Sequence, residues 1–252
     1  MLEPHNLLII ALTLGFASFV QGYSGFGIGI ISMSVFSFMP LDLERMSAVL
    51  SILCTVIILI LFFLSVRHSK IAWKPGLFLC LGIIIGSPLG YFFLLSYKEQ
   101  PVFKIIFGTI IMYWALSSFF SLSIKKHLRY LLGVPFGVLS GFISGMMVSG
   151  GPPIIYYLYS RVHDPRDMKA TVQAVFLFVG IVRLTVIGFG GRGFTPELFK
   201  VSSIVLPVGI GTLALGHYLS RRATVETFKK IVFALLFLFG TVIAVKGIKG
   251  IL

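Results

Sequence analysis

The chain is organised as eight apolar runs separated by short polar segments. Six of the runs have about the 20 residues that an α-helix needs to cross the hydrocarbon core of a bilayer. Only 12% of the 252 residues are charged, against about 25% in soluble domains, and 57% are hydrophobic. The sequence therefore predicts an all-α, polytopic membrane protein. The runs cover residues 6–39, 46–66, 76–96, 102–123, 130–160, 170–190, 201–219 and 229–250.

Two runs, 6–39 and 130–160, are too long for one span and too short for two. Residues that interrupt helices lie within both, Gly-Tyr-Ser-Gly-Phe-Gly at 22–27 and Ser-Gly-Gly-Pro-Pro at 149–153. We therefore expect each run to form a re-entrant hairpin of two half-helices that meet inside the membrane. Lipid cannot satisfy irregular backbone, so these breaks should be buried in protein or line a wet cavity.

The two halves of the chain share short identities at a nearly constant offset. Ser24-Gly25 corresponds to Ser149-Gly150, and Leu89-Gly90 corresponds to Leu215-Gly216. Each identity is weak alone, but their shared order predicts an internal duplication.

The duplication predicts two membrane repeats, residues 1–126 and 127–252, each a hairpin followed by three transmembrane helices. Such halves start on opposite faces of the membrane, which makes the repeat inverted, a common plan of secondary transporters. The loops that would share one face carry thirteen Lys and Arg, and the other loops carry seven. By the positive-inside rule the first face is cytoplasmic. The protein is therefore expected in the cell (inner) membrane with both termini on the outer side.

The charged residues indicate what the protein binds. The net charge of +13 is spread over the loops without a basic face, so no nucleic-acid partner is predicted. All eight acids lie in loops or at helix ends, and Arg183 is the one charge well inside a span. An intramembrane cation indicates an anionic ligand. The alternative is that Arg183 snorkels, since it lies only about 12 Å of helix from the next loop.

The second hairpin offers another feature that suits an anion. A helix N-terminus presents free N–H groups and partial positive charge to an oxyanion. Since prolines donate nothing, the N–H donors would be Gly150, Gly151 and Ile154, and the first hairpin would contribute similarly. The alternative is that these glycines allow helices to pack closely. The predicted substrate-binding residues are Gln21, Ser24, Gly25, Ser149, Gly150, Gly151, Ile154, Gln173 and Arg183.

The remaining polar residues carry less chemistry. The amides of Gln21 and Gln173 could donate to an oxyanion or bridge helices, and Asp42 and Asp167 are interpreted as helix N-caps. The five histidines lack metal-ligand spacing, and Cys54 and Cys80 lie inside apolar runs. No enzyme activity, metal or cofactor is predicted.

The stretch Ser-Gly-Gly-Pro-Pro-Ile-Ile-Tyr-Tyr-Leu at 149–158 and the following Lys169-Ala170-Thr171…Phe176…Arg183-Leu184 pattern resemble the sulfite exporter TauE/SafE family, also called TSUP. In the first half, Gly-Phe-Gly-Ile-Gly at 25–29 replaces the commoner glycine triplet of that family. The resemblance implies transport of sulfite, sulfoacetate or other organosulfonates, or of carboxylates. We expect a bacterial-type secondary transporter, most simply an exporter, that works by alternating access as residues 1–126 move against 127–252. An anion channel is the alternative.

Overall fold

The computed structural model describes residues 4–24, 27–39, 42–67, 69–119, 128–190, 193–220 and 225–251. All regular secondary structure in these residues is helical, which confirms the all-α prediction. A short 3-10 helix, Tyr130–Leu132, precedes α6. The α-helices are α1 (Pro4–Ser24), α2 (Ile28–Phe36), α3 (Leu43–Val66), α4 (Trp73–Tyr97), α5 (Pro101–Phe119), α6 (Gly133–Met147), α7 (Gly151–Tyr159), α8 (Pro165–Gly190), α9 (Pro196–Ser220) and α10 (Val225–Lys249).

Six helices within the described residues are long and apolar enough to cross a membrane. They confirm a multi-pass membrane protein. The six stretches are His5–Tyr23, Leu43–Val66, Trp73–Tyr97, Tyr130–Met147, Pro165–Gly190 and Pro196–Leu219.

Both long apolar runs are broken, as predicted, but the pieces are unequal. α1 has 21 residues and α2 has nine, while α6 has 15 and α7 has nine. At about 1.5 Å per residue, α1 alone reaches roughly the thickness of a hydrocarbon core. The expectation of two half-helices therefore needs correction, because the helical stretch before each break, His5–Tyr23 in the first run and Tyr130–Met147 in the second, is itself long and apolar enough to cross a membrane.

The chain reverses direction at each break. A Cβ placed on Gly27 would lie 3.8 Å from Val20, seven residues earlier. Gly27 has a φ of 116°, a left-handed conformation that glycine adopts without strain. At the second break, Gly150 returns to the level of Ser140, halfway along α6. The helices on either side of each break therefore form a helical hairpin.

The helices group into two compact units, and each unit draws on both halves of the chain. Unit 1 comprises residues 1–50, 94–122 and 195–252, and unit 2 comprises 51–93 and 123–194. The compact units therefore follow helix packing rather than chain order. The repeat boundary at residues 126 and 127 and the inverted orientation of the repeats stay predictions.

In unit 2, α4 and α6 contact each other through their backbones. Gly82, Gly86 and Gly90 recur at every fourth residue of α4, so they share one face of the helix. A Cβ on any of them would overlap a backbone carbonyl oxygen of α6. Gly137 and Gly145 of α6 meet α4 backbone in the same way. Small residues on both surfaces allow this close approach, which stabilises helix pairs in membranes by dispersion contacts.

In unit 1, α1 and α9 make a comparable contact. A Cβ on Gly22 would overlap the carbonyl oxygen of Leu213, and one on Gly216 would overlap that of Phe19. Gly90 and Gly216, which correspond in the predicted duplication, thus both lie at a close contact between a hairpin helix and a helix of the other half of the chain. The duplication itself stays a prediction.

The predicted helix caps are half right. The carboxylate of Asp42 accepts the N–H of Glu44 at 3.0 Å, which confirms Asp42 as the N-cap of α3. The prediction for Asp167 is wrong, because Asp164 caps α8 by accepting the N–H groups of Asp167 and Arg166. These two hydrogen bonds stabilise the carboxylate and lower the pKa of Asp164. Asp167 lies inside the first turn and accepts the Lys70 N–H instead.

The glycine contacts make a stability prediction with an internal control. Gly86→Ala places a methyl group onto the Val138 carbonyl oxygen, a backbone atom that cannot move alone, so we expect a loss of about 1–3 kcal/mol of stability. Gly211 lies in α9 with no heavy atom within 4 Å of its hypothetical Cβ, so Gly211→Ala should be neutral or stabilising by up to about 1 kcal/mol. Thermal unfolding of both purified variants in detergent measures the difference. Equal midpoints would contradict the packing argument.

A candidate anion site around Arg183

Arg183 lies on the buried stripe of α8. Met168, Val172, Val175 and Val179 recur at steps of three or four residues, Ile187 follows two turns later, and all are buried. Arg183 follows Val179 by four residues and precedes Ile187 by four, so the helix places it on the same face. Its side chain is only 1% exposed. This enclosure by protein argues against snorkelling, in which the side chain would extend toward the membrane surface.

The guanidinium of Arg183 is held by three helices of unit 2. Its Nε donates to the hydroxyl of Ser51 in α3 at 2.7 Å. Its Nη1 donates to the carbonyl oxygens of Ser144 and Gly145 in α6. The ring of Tyr91 in α4 lies 5.8 Å from Cζ, within cation–π range.

These acceptors explain how a cation is tolerated at this depth. The carbonyl groups at the end of α6 carry the negative end of its dipole, and the Ser144 oxygen accepts both the N–H of Val148, at 2.8 Å, and the guanidinium. Among the described residues, however, no carboxylate forms an ion pair with Arg183. Its Nη2 is buried and also lacks a hydrogen-bond partner among them. The site therefore holds net positive charge and an unused donor.

The tip of the second hairpin lies beside the same helix. The hydroxyl of Ser140 donates to the carbonyl oxygen of Gly150 at 2.5 Å and ties the tip to α6. Ser140 precedes Ser144, an Arg183 acceptor, by one turn, which is about 6 Å of helix. Val148 adopts a left-handed φ of 57°, which is strained for a β-branched residue. Such strain persists where surrounding contacts enforce it, commonly at functional sites.

The start of α7 supplies few N–H groups. Gly151 is the first helical residue, and prolines fill the next two positions. Ile154 is the fourth, where helical geometry directs its N–H to the carbonyl of Gly150. Gly150 and Gly151 are therefore better placed than Ile154 to donate to a ligand. The side chain of Ile154 is fully buried in the apolar core of unit 2.

The other predicted site residues divide between the two units. In unit 2, Ser149 is half-buried, and Gln173 is buried with no hydrogen-bond partner for its Oε1 among the described residues. In unit 1, Gln21 accepts the N–H of Ile28 at 3.3 Å and so caps α2. Gly25 and the side chain of Ser24 lie outside the described residues.

Sequence reasoning missed the residues that hold Arg183. Ser51, Ser144 and Tyr91 are polar side chains on apolar helices, and that was their only signal in the sequence. Gly145 contributes a carbonyl group, which no side-chain pattern reveals.

Gly150 and Gly151 form a matched pair for mutation. A Cβ on Gly150 would overlap the Ser140 carbonyl oxygen, whereas one on Gly151 would meet the ring tip of Phe176 at 3.3 Å, which can rotate away. We therefore expect Gly150→Ala to cost about 1–3 kcal/mol and Gly151→Ala to cost much less. Membrane yield and thermal midpoint measure both. A destabilised Gly151→Ala beside an intact Gly150→Ala would contradict the described hairpin.

Comparison with known proteins identifies the family. A family model described as "Sulfite exporter TauE/SafE" matches residues 10–243. A protein of Cupriavidus necator named "Probable sulfite/organosulfonate exporter TauE" is 25% identical over 249 residues, which cover 97% of this chain and 96% of that protein. No solved structure matches the chain significantly. The resemblance predicted from the sequence is confirmed, and the chain belongs to the TauE/SafE family of sulfite exporters.

Proposed function

We propose that this protein exports sulfite or an organosulfonate by alternating access, and that Arg183 binds the transported anion. The family is one of exporters rather than enzymes, which supports a transporter with a small anionic substrate. The observation that carries the proposal is a fully buried guanidinium with an unused Nη2 and no carboxylate partner among the described residues. A buried charge without a counter-ion is costly, and a bound anion would remove that cost.

The chemistry of the substrate suits this arrangement. Sulfite and sulfonates carry three oxygens on sulfur, and each oxygen can accept from a different donor. Nη2 of Arg183 would donate to one of these oxygens, and the N–H groups of Gly150 and Gly151 are candidate donors to another. Because Nε and Nη1 already bind protein, the contact with substrate would run through Nη2 rather than through a two-pronged fork.

The energetics favour export without a coupling ion. One negative charge that leaves a cell at −100 mV gains about 2.3 kcal/mol. Proton- and sodium-coupled carriers often use a carboxylate inside a span, whereas the acids of this sequence lie in loops or at helix ends. Carriage of carboxylates, and passage through a channel, are the competing functions.

Binding to variants of Arg183 tests the proposal. Arg183→Met keeps most of the bulk and removes the charge, so sulfite and sulfoacetate should bind at least about a hundredfold more weakly, as expected when a buried charge pair loses about 3–5 kcal/mol. The affinity of Arg183→Lys should lie between those of the wild type and Arg183→Met. Its ammonium group keeps the charge, but the α6 carbonyls and Ser51 would occupy its donors. Titration calorimetry on purified protein gives the affinities.

Arg166→Met is the matched control, since Arg166 lies on the same helix and is exposed. Its affinities should equal those of the wild type. If Arg183→Met binds sulfite as tightly as the wild type while its thermal midpoint falls, Arg183 serves only the packing of α6.

Saturable flux that is stimulated by counterflow in proteoliposomes distinguishes a carrier from a channel. Tighter binding of simple carboxylates than of sulfite would reassign the substrate.

The orientation in the membrane has its own test. We expect both termini outside, so single cysteines at His5 and Ile251, two exposed positions, should react with an impermeant thiol reagent from outside intact cells. A cysteine at exposed Arg129 should react only after the membrane is permeabilised. The background would lack Cys54 and Cys80. Opposite accessibility of His5 and Ile251 would contradict the paired-hairpin topology.

A further inference from the structure

Two cations converge on one aromatic ring at one end of unit 2. Lys74 Nζ lies 4.6 Å from the centroid of the Tyr130 ring, and Arg161 Cζ lies 4.0 Å from it. The Tyr130 ring stacks on Phe78, and the Tyr130 backbone is held by the hydroxyl of Tyr157, which donates to its carbonyl oxygen at 3.0 Å. Tyr130 is therefore a rigid platform for both cations.

The charges at this platform are not balanced within the described part of the chain. Neither Lys74 nor Arg161 forms an ion pair there, and Nε of Arg161 is buried without a hydrogen-bond partner. The two carboxylates that follow Arg161 in the sequence are occupied, since Asp164 caps α8 and Asp167 accepts the Lys70 N–H. The cations repel each other, so a neutralising anion would stabilise the arrangement.

The position of Lys74 strengthens this argument. It is the second residue of α4, whose first turn contains no acidic residue. The N-terminus of a helix carries partial positive charge and normally attracts carboxylates, so a lysine there is unfavourable. An anion at this end would interact favourably with Lys74, with Arg161 and with the dipole of α4.

The surroundings identify the kind of anion. Trp73, adjacent to Lys74, is 63% exposed, Leu131, adjacent to Tyr130, is 72% exposed, and Tyr159, two residues before Arg161, is 58% exposed. Exposed Trp and Tyr side chains at helix ends of a membrane protein are typical of the membrane–water interface. A soluble anion needs no apolar rim, whereas a phospholipid presents a phosphate together with acyl chains.

From these contacts we infer that Lys74, Arg161 and Tyr130 form a binding site for the headgroup of an anionic phospholipid. The phosphate would lie between the two cations, and the acyl chains would follow the exposed apolar side chains. Basic pockets between transmembrane helices bind such headgroups. The site is separate from Arg183 and does not depend on which anion the protein transports.

Native mass spectrometry of the full-length protein with added phosphatidylglycerol tests the inference. A basic residue near the membrane surface contributes about 1 kcal/mol to the binding of an anionic lipid. Lys74→Gln should therefore weaken phosphatidylglycerol binding about fivefold, and the double variant Lys74→Gln, Arg161→Gln should weaken it about thirtyfold. Tyr130→Phe keeps the ring and should bind like the wild type, whereas Tyr130→Leu should bind more weakly. The control is Lys104→Gln with Lys200→Gln, which removes two exposed charges from unit 1 and should leave binding unchanged.

Two further arms separate the possible ligands. Phosphatidylcholine should bind equally to all variants, because it lacks net charge. Inorganic phosphate at the same concentration should not displace phosphatidylglycerol; if it does so efficiently, the site takes soluble anions and the lipid proposal is overturned. Equal phosphatidylglycerol binding by the wild type and Lys74→Gln would also overturn it, and since Lys74 is exposed, that variant should keep its fold.

Discussion

The hydrogen bonds from the Arg183 guanidinium to the last turn of α6 are the interaction on which unit 2 depends. Gly145 connects these bonds to the helix packing. Its carbonyl accepts from Arg183, and its missing side chain lets the backbone of α4 approach at Ser87 and Tyr91. That approach also brings the Tyr91 ring within range of the guanidinium. The glycine faces of α4 and α6 therefore contribute to the electrostatics of the site as well as to its packing.

The choice of acceptors for Arg183 has a functional consequence. A carboxylate at this position would neutralise the guanidinium, and an anionic substrate would then have to displace it. Carbonyl dipoles, a hydroxyl group and an aromatic ring stabilise the cation without cancelling its charge. The full positive charge remains available to a ligand. The bond from Ser140 to Gly150 holds the hairpin tip against α6, so the proposed site would be organised before an anion arrives.

Much of the architecture could be predicted from the sequence, because run length and helix-breaking residues are local signals. The hairpin breaks and the exceptional position of Arg183 were visible in this way. The predictions that were wrong concern geometry that the local sequence pattern does not determine. Asp164 rather than Asp167 caps α8, since the helix starts at Pro165, and the first hairpin is unequal because α1 continues to Ser24. The hydrogen-bond partners of Arg183 lie far from it in the sequence, 132 residues away for Ser51 and 39 for Ser144. Helix periodicity does not predict contacts at such separations.

The composition of the two units bears on how the two halves of the chain form one protein. α1 packs on α9 and α6 packs on α4, so each hairpin finds its close partner in the other half of the chain. The contacts use backbone surfaces that glycine exposes, such as Gly22 against Leu213 and Gly86 against Val138. A single half would leave these surfaces without their partners, because lipid tails cannot fit a glycine groove as another helix does. Each half of the chain therefore depends on the other for the helices that cover its glycine surfaces.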